Sequence, residues 1–194
     1  MPEYEYGRIR KLDESLRKAQ VNEPATDEIM AGGERIRRGT SPEQKADWFR
    51  GSMNRMDELL DAHTRRAVRE ACACCLGGKR LKVSKSIARE FDTLEERLAA
   101  ANQATFVFGH SVTMHDDGTV RVDFSPSGLE SYRCVCLPKA EEPISVTYCQ
   151  CCGGHVKHHL QTALGRKVEC TVLSSALSSG GTERCSFQLT LLPQ

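Results

Sequence analysis

The stretch Tyr148–Gly165, YCQCCGGHVKHHLQTALG, constrains this chain more than any other. Cys149, Cys151 and Cys152 come first and two glycines follow. His155, His158 and His159 then fall at helical spacing on a segment that Gly165 is placed to end. Thiolates and imidazoles are the soft and borderline ligands that zinc, copper and iron prefer. Six such groups within eleven residues exceed what packing asks for, so the stretch is expected to supply part of a metal or iron–sulfur site. If its helix starts near Cys152, then Cys152, His155 and His159 share one stripe at spacings of three and four, with His158 beside it.

A second segment echoes the first. CACCLGGK at 72–79 and CQCCGGHVK at 149–157 both read Cys-x-Cys-Cys followed by a glycine pair. The physical suggestion is that the two segments meet and pool their thiolates. The expected ligands are Cys72, Cys74, Cys75, Cys149, Cys151, Cys152, His155 and His159, holding zinc or an iron–sulfur cluster. Glycines beside the site would let backbone N–H groups approach the sulfurs, and a helix N-terminus near Gly153 would favour thiolate charge.

Other readings stand beside this one. Cysteine is a small hydrophobe and is often buried without function. Cys170 and Cys185, alone on separate strands, read as core, while Cys134 and Cys136 fit a pocket or the site equally well. An enzyme is the alternative: Cys151 or Cys152 beside His155 could form a thiolate–imidazolium pair, with Glu169 or Asp123 orienting the ring. That would make a hydrolase or a thiol-redox protein, or else a metal-bound water would do the work. No P-loop, nucleophile elbow or Gly-x-Gly-x-x-Gly turn is present.

How ten cysteines are read depends on the compartment. No apolar run approaches the roughly 20 residues of a membrane span, and the charged start MPEYEYGRIRK lacks a signal peptide's apolar core. The expected location is cytoplasmic and the expected source bacterial or archaeal. Reducing conditions there favour metal or redox chemistry over disulfides. A net charge of +1 gives no basic field for nucleic acid. Expected partners are a small-molecule ligand and, as an open option, a second copy in a homodimer, with neither nucleic acid nor membrane.

The hydrophobic pattern is helical as far as about residue 103. Ile9, Leu12 and Leu16 mark one helix. Ser41, Pro42 and Gln44 form a capped start, and Phe49, Met53, Met56 and Leu60 continue a stripe through Ala67, Ala71 and Cys75 to Gly77-Gly78. On that helix Cys72 and Cys75 would share a face. Thr93 with Glu96 predicts a break near Asp92 within a helical pair over 84–102. Alternation then predicts a strand over 106–114, a turn at Asp116-Asp117-Gly118, and a return through Val120, Val122 and Phe124. A third strand is predicted over 132–137, with Tyr132, Cys134 and Cys136 on one face, and two more over 167–173 and 185–192. The fold class is α+β: a helical region over 1–103 packed on a mostly antiparallel sheet, with one long helix, over 104–194, in one compact unit.

The last fifty residues resemble the 4-vinyl-reductase-type domain, through Leu164 and Gly165 at a helix end, Gly180 in a turn, and Cys185 and Phe187 on the last strand. The resemblance implies a small α+β ligand-binding unit of sensor type. In some members cysteines and a glutamate around the last hairpin hold a structural zinc; eight residues before Cys185 this chain has Leu177 and no thiol. The same region is similar to that of bacterial proteins described as aminothiazoline-carboxylate hydrolases, and the whole chain to a Cys-rich bacterial family.

Overall fold

The computed structural model describes residues 3–193. Among these residues, eight α-helices pack with a four-stranded sheet of order β1-β2-β4-β3, in which every neighbouring pair is antiparallel. The class is α+β, as the pattern predicts. No helix among the described residues is long and apolar enough to cross a membrane.

The helices are α1 (Gly7–Lys18), α2 (Glu23–Met30), α3 (Pro42–Leu59), α4 (Ala62–Ala71), α5 (Gly78–Glu90), α6 (Leu94–Gln103), α7 (Thr105–Phe108) and α8 (Gln150–Leu164). Both capping boxes form: Ser41 accepts from the Gln44 N–H, and Thr93 from the Glu96 N–H. The strands are β1 (Ser111–Met114), β2 (Thr119–Asp123), β3 (Val168–Ser174) and β4 (Ser186–Leu191).

Three elements differ from expectation. The long stripe is two helices, because Leu60 is extended and Asp61 caps α4 by accepting from the Thr64 N–H. Helix α4 ends at Ala71, so Cys72 and Cys75 share no helical face, and Cys75 has a left-handed φ of 61°. The strand expected over 106–114 starts only at Ser111. Before it, α7 makes one helical turn that buries Val107 and Phe108, and Gly109 (φ 107°) turns the chain into the sheet. Residues 132–137 form no strand; they belong to a segment, 124–145, without helix or strand. It holds to the body at points such as the Tyr132 N–H donating to the Gly181 carbonyl, 2.9 Å. Alternation signals sidedness, and here an irregular chain turns Cys134 and Cys136 inward without strand pairing.

Two apolar cores flank α8. One gathers Leu12, Leu16, Phe49, Met53, Met56 and Tyr148; the other gathers Phe108, Val122, Leu160, Leu164, Phe187 and Leu189. Cys152 packs against both and so lies on their seam. Glycines 153 and 154 sit one turn into α8, where each costs about 1 kcal/mol in helix propensity relative to alanine. Gly154 has a compensating reason: a Cβ there would lie 2.4 Å from the Glu70 carbonyl oxygen and 2.9 Å from its Cα. The backbones of α4 and α8 touch at this point. A Cβ at Gly153 would meet only ordinary contacts, the nearest at 3.6 Å from Cys170 Sγ.

The two glycines therefore separate in one experiment. Gly154→Ala is expected to destabilise by ~2 kcal/mol or more, since rigid backbone must move. Gly153→Ala is expected to be neutral or stabilising by up to about 1 kcal/mol. Urea unfolding of the two variants reads the difference, and equal behaviour would contradict the close helix crossing.

Candidate functional site

The crossing of α4 over α8 sends the chain after Ala71 across the first turns of α8, where three histidines catch it. His158 Nε2 donates to the Leu76 carbonyl at 3.2 Å and His159 Nε2 to the Cys75 carbonyl at 3.0 Å. The two ring nitrogens of His155 lie 3.2 Å from the Cys74 carbonyl oxygen and 3.0 Å from that of Val107. With Nε2 of His159 donating, its Nδ1 accepts from the Ser84 hydroxyl at 2.9 Å. The rings pack edge-on, their centroids 4.5 and 5.0 Å apart. The carbonyls of Cys75 and Leu76 are thus held by one helix face, and that of Cys74 lies beside it within reach of His155. A left-handed non-glycine residue such as Cys75 costs roughly 1–2 kcal/mol, and the bond from His159 helps hold it.

This arrangement helps close a cavity of about 310 Å³ lined by eight of the ten cysteines: Cys74, Cys75, Cys134, Cys136, Cys149, Cys151, Cys152 and Cys185. The two echoing segments do meet there, as their pattern suggests. The irregular segment 124–145 adds two thiols and the approach to β4 adds one. Cys136 shares this lining with Cys74, Cys134 and Cys152, and their thiols are the groups that set its protonation. Cys151 in turn acts on the protonation of Cys152, and Cys74 on that of Cys75. Among the described residues, no group of three or more His, Cys, Asp or Glu side chains is set, as it stands, to hold a metal ion.

Two guanidiniums face the sulfurs. Arg69 is 3% exposed, donates through Nη2 to the Tyr148 carbonyl at 3.0 Å, and lies over the Tyr148 ring at 4.8 Å. Its Nε has no hydrogen-bond partner. Arg8 donates through Nη1 to the Cys136 carbonyl at 2.8 Å. Neither takes part in an ion pair with a carboxylate among the described residues. A buried cation without a counter-charge is costly, so the neighbouring thiols are pressed to ionise. Cys151 responds most: the Cys152 thiol donating to it, together with the Arg69 and Arg8 charges, outweighs burial and draws it down to about 6.

The other thiols sort around it. Cys152 is held up by the Cys136 and Cys151 sulfurs, and Cys74 first by Cys136 and then by burial. Cys134 is drawn down by its contact with Cys136. Cys136 is itself drawn down; Cys134 opposes this, but Cys152 and Cys74 favour its thiolate. Burial pushes Cys149 up to about 12, and its Sγ donates to Ser175 Oγ at 3.0 Å.

Several expected site residues have other occupations. Cys72 Sγ lies 3.5 Å from Ser15 Oγ on α1 and does not line the cavity. His159 is fully buried with both ring nitrogens engaged, and His155 faces carbonyls with both of its own. Neither nitrogen of His155 is directed at a sulfur as a thiolate–imidazolium pair requires. Asp123 is tied to Arg121, Arg184 and Ser186, and Glu169 is exposed on β3. Cys170 is buried beside Gly153 away from the cavity, and burial pushes it up to about 12. The reading of Cys185 as core is too narrow, because it lines the cavity. Sequence reasoning missed Arg8 and Arg69. In the run Arg65-Arg66-Ala67-Val68-Arg69 nothing distinguishes the buried arginine from its solvated neighbours.

Burial also sets a pH dependence. Desolvation is the largest cause lowering His159, from 6.5 to about 4, so the folded state keeps it neutral. Below about 6.5 the unfolded chain binds a proton that the folded one refuses. This contribution to stability is therefore complete above about 6.5 and shrinks as pH falls toward 4, by up to about 1.4 kcal/mol per unit. Urea unfolding at several pH values should show a flatter acid slope in His159→Gln than in the wild type. Identical slopes would contradict the assignment.

Residues 7–194 match a family described as a family of unknown function (DUF6144). No curated protein and no solved structure matches the chain.

Proposed function

We propose that this chain, which belongs to the DUF6144 family, holds a sulfur-ligated metal centre, zinc or an iron–sulfur cluster, in the cavity at the head of α8. The observation that carries the reading is the lining of that cavity, which Cys74, Cys134, Cys136 and Cys152, drawn from three segments, share. Four thiolates suit tetrahedral zinc or a cluster. Among the described residues no carboxylate lines the cavity, and its histidine is turned to carbonyls, so the free donors are soft ones. Arg8 and Arg69 would offset the negative charge that metal–thiolate centres carry.

Cys134 and Cys136 stand on a segment without helix or strand, which leaves their side chains room to close around an ion. Ligation would in turn fasten that long segment to the body, and the binding energy would count toward folding. A cytoplasmic setting suits ten unpaired cysteines. One observation favours thiol-redox chemistry as a second reading: adjacent Cys151 and Cys152 both line the cavity from the first turn of α8, where the Arg69 and Arg8 charges favour a Cys151 thiolate.

Protein purified without oxygen tests both. Metal analysis is expected to find zinc or iron in stoichiometric amount, with visible absorption if a cluster is bound. Cys136→Ser and Cys152→Ser should lose about tenfold or more in metal content, while Cys72→Ser and Cys170→Ser keep it. Metal-free protein with one fast-alkylating thiol would favour the redox reading, and full metal in Cys136→Ser would contradict the proposed ligands.

A further inference from the structure

The cavity lining has two unlike components. Besides the sulfurs, Phe106, Phe124 and Phe187 line it. Phe187 is wholly buried on β4 and packs against Phe124 with ring centroids 4.8 Å apart. Phe106, on α7, is 55% exposed, an unusual position for a phenyl ring. Two arginines also line the cavity. Arg80 is half-buried and is fixed by its Nε donating to the Phe106 carbonyl at 3.1 Å, while Arg133 is exposed. Neither pairs with a carboxylate among the described residues.

Arg80 and Arg133 thus set two guanidiniums without carboxylate partners on a recess that, among the described residues, presents no carboxylate of its own. Low-dielectric walls focus such a field into the opening. A neutral apolar molecule would make no use of the arginines. An anion with a flat hydrocarbon body satisfies both the arginines and the rings. A cavity of about 310 Å³ stands at the small end of ligand pockets, which run from about 300 to 1,000 Å³.

We infer that the cavity binds a small organic anion with a flat apolar body, which lies against Phe106 and Phe124 with its charged group toward Arg80 and Arg133. The inference rests on the reading of the sulfurs as a metal centre, because it places the ligand beside them as what the centre would sense or act on.

Two fluorescent probes with one hydrocarbon frame separate charge from apolar contact. 8-Anilinonaphthalene-1-sulfonate carries the anion, and N-phenyl-1-naphthylamine lacks it. The anion is expected to bind one per folded chain, at least tenfold more tightly than the neutral probe. The double variant Arg80→Gln/Arg133→Gln should weaken the anion about tenfold and leave the neutral probe unchanged, while Phe106→Ala should weaken both. Unchanged near-ultraviolet circular dichroism confirms that binding is to folded protein rather than to a loosened state.

Equal affinity for the two probes would overturn the inference, as would anion binding indifferent to the arginine substitutions. Metal content measured on the same samples keeps the two readings apart. Full metal with no arginine-dependent anion binding sinks the ligand inference alone. Arginine-dependent binding to a protein that never takes up metal supports the anion site and sinks the metal reading.

Discussion

The backbone contact between Gly154 and Glu70 is what the rest of this structure depends on. It sets α4 and α8 close enough that the chain leaving α4 passes over the histidine face of α8. From there the loop has little choice of path, since two successive carbonyls accept from His159 and His158. The consequence is chemical: Cys74 is delivered toward Cys136 and Cys152, residues remote from it in sequence. The glycine pair and the histidines, which as a motif suggest a metal site directly, act one step earlier by shaping the loop that brings a thiol to the cavity.

Electrostatics then turns a cluster of sulfurs into a set with unequal roles. Arg69 and Arg8 bring positive charge without a carboxylate to match it, and a thiol is the nearest group able to answer. Once Cys151 leans toward its thiolate, Cys152 beside it is held as a donor, and the alternation continues to Cys136 and Cys74. Of the four proposed ligands, Cys134 and Cys136 lean toward the thiolate, while Cys74 and Cys152 hold their protons more tightly than a free thiol. The histidines belong to the frame and not to this set.

What could be read in the sequence was mostly local. The capping boxes at Ser41 and Thr93, the turn before β2 and the Gly165 end of α8 each depend on residues within four or five positions, and each formed. The fold class and the meeting of the two Cys-x-Cys-Cys segments were also legible, since both echo a single physical need. The break at Leu60–Asp61 was hidden because the apolar stripe keeps its phase across it. The third strand was misread because alternation at Tyr132, Cys134 and Cys136 also describes an irregular segment with one side turned inward. The partners of the three histidines and the burial of Arg69 are tertiary facts that no spacing encodes, and so the site's electrostatic half was invisible.

The claim at the centre is that thiols remote in sequence share one cavity around Cys136. Phenylarsine oxide, which bridges two neighbouring thiols with loss of water, tests it directly on reduced, metal-free folded protein. With one equivalent added, peptide mapping by mass spectrometry should find arsenic joining the Cys136 peptide to that of Cys74 or Cys152. Bridging confined to Cys74 with Cys75, or none at all, would contradict the account.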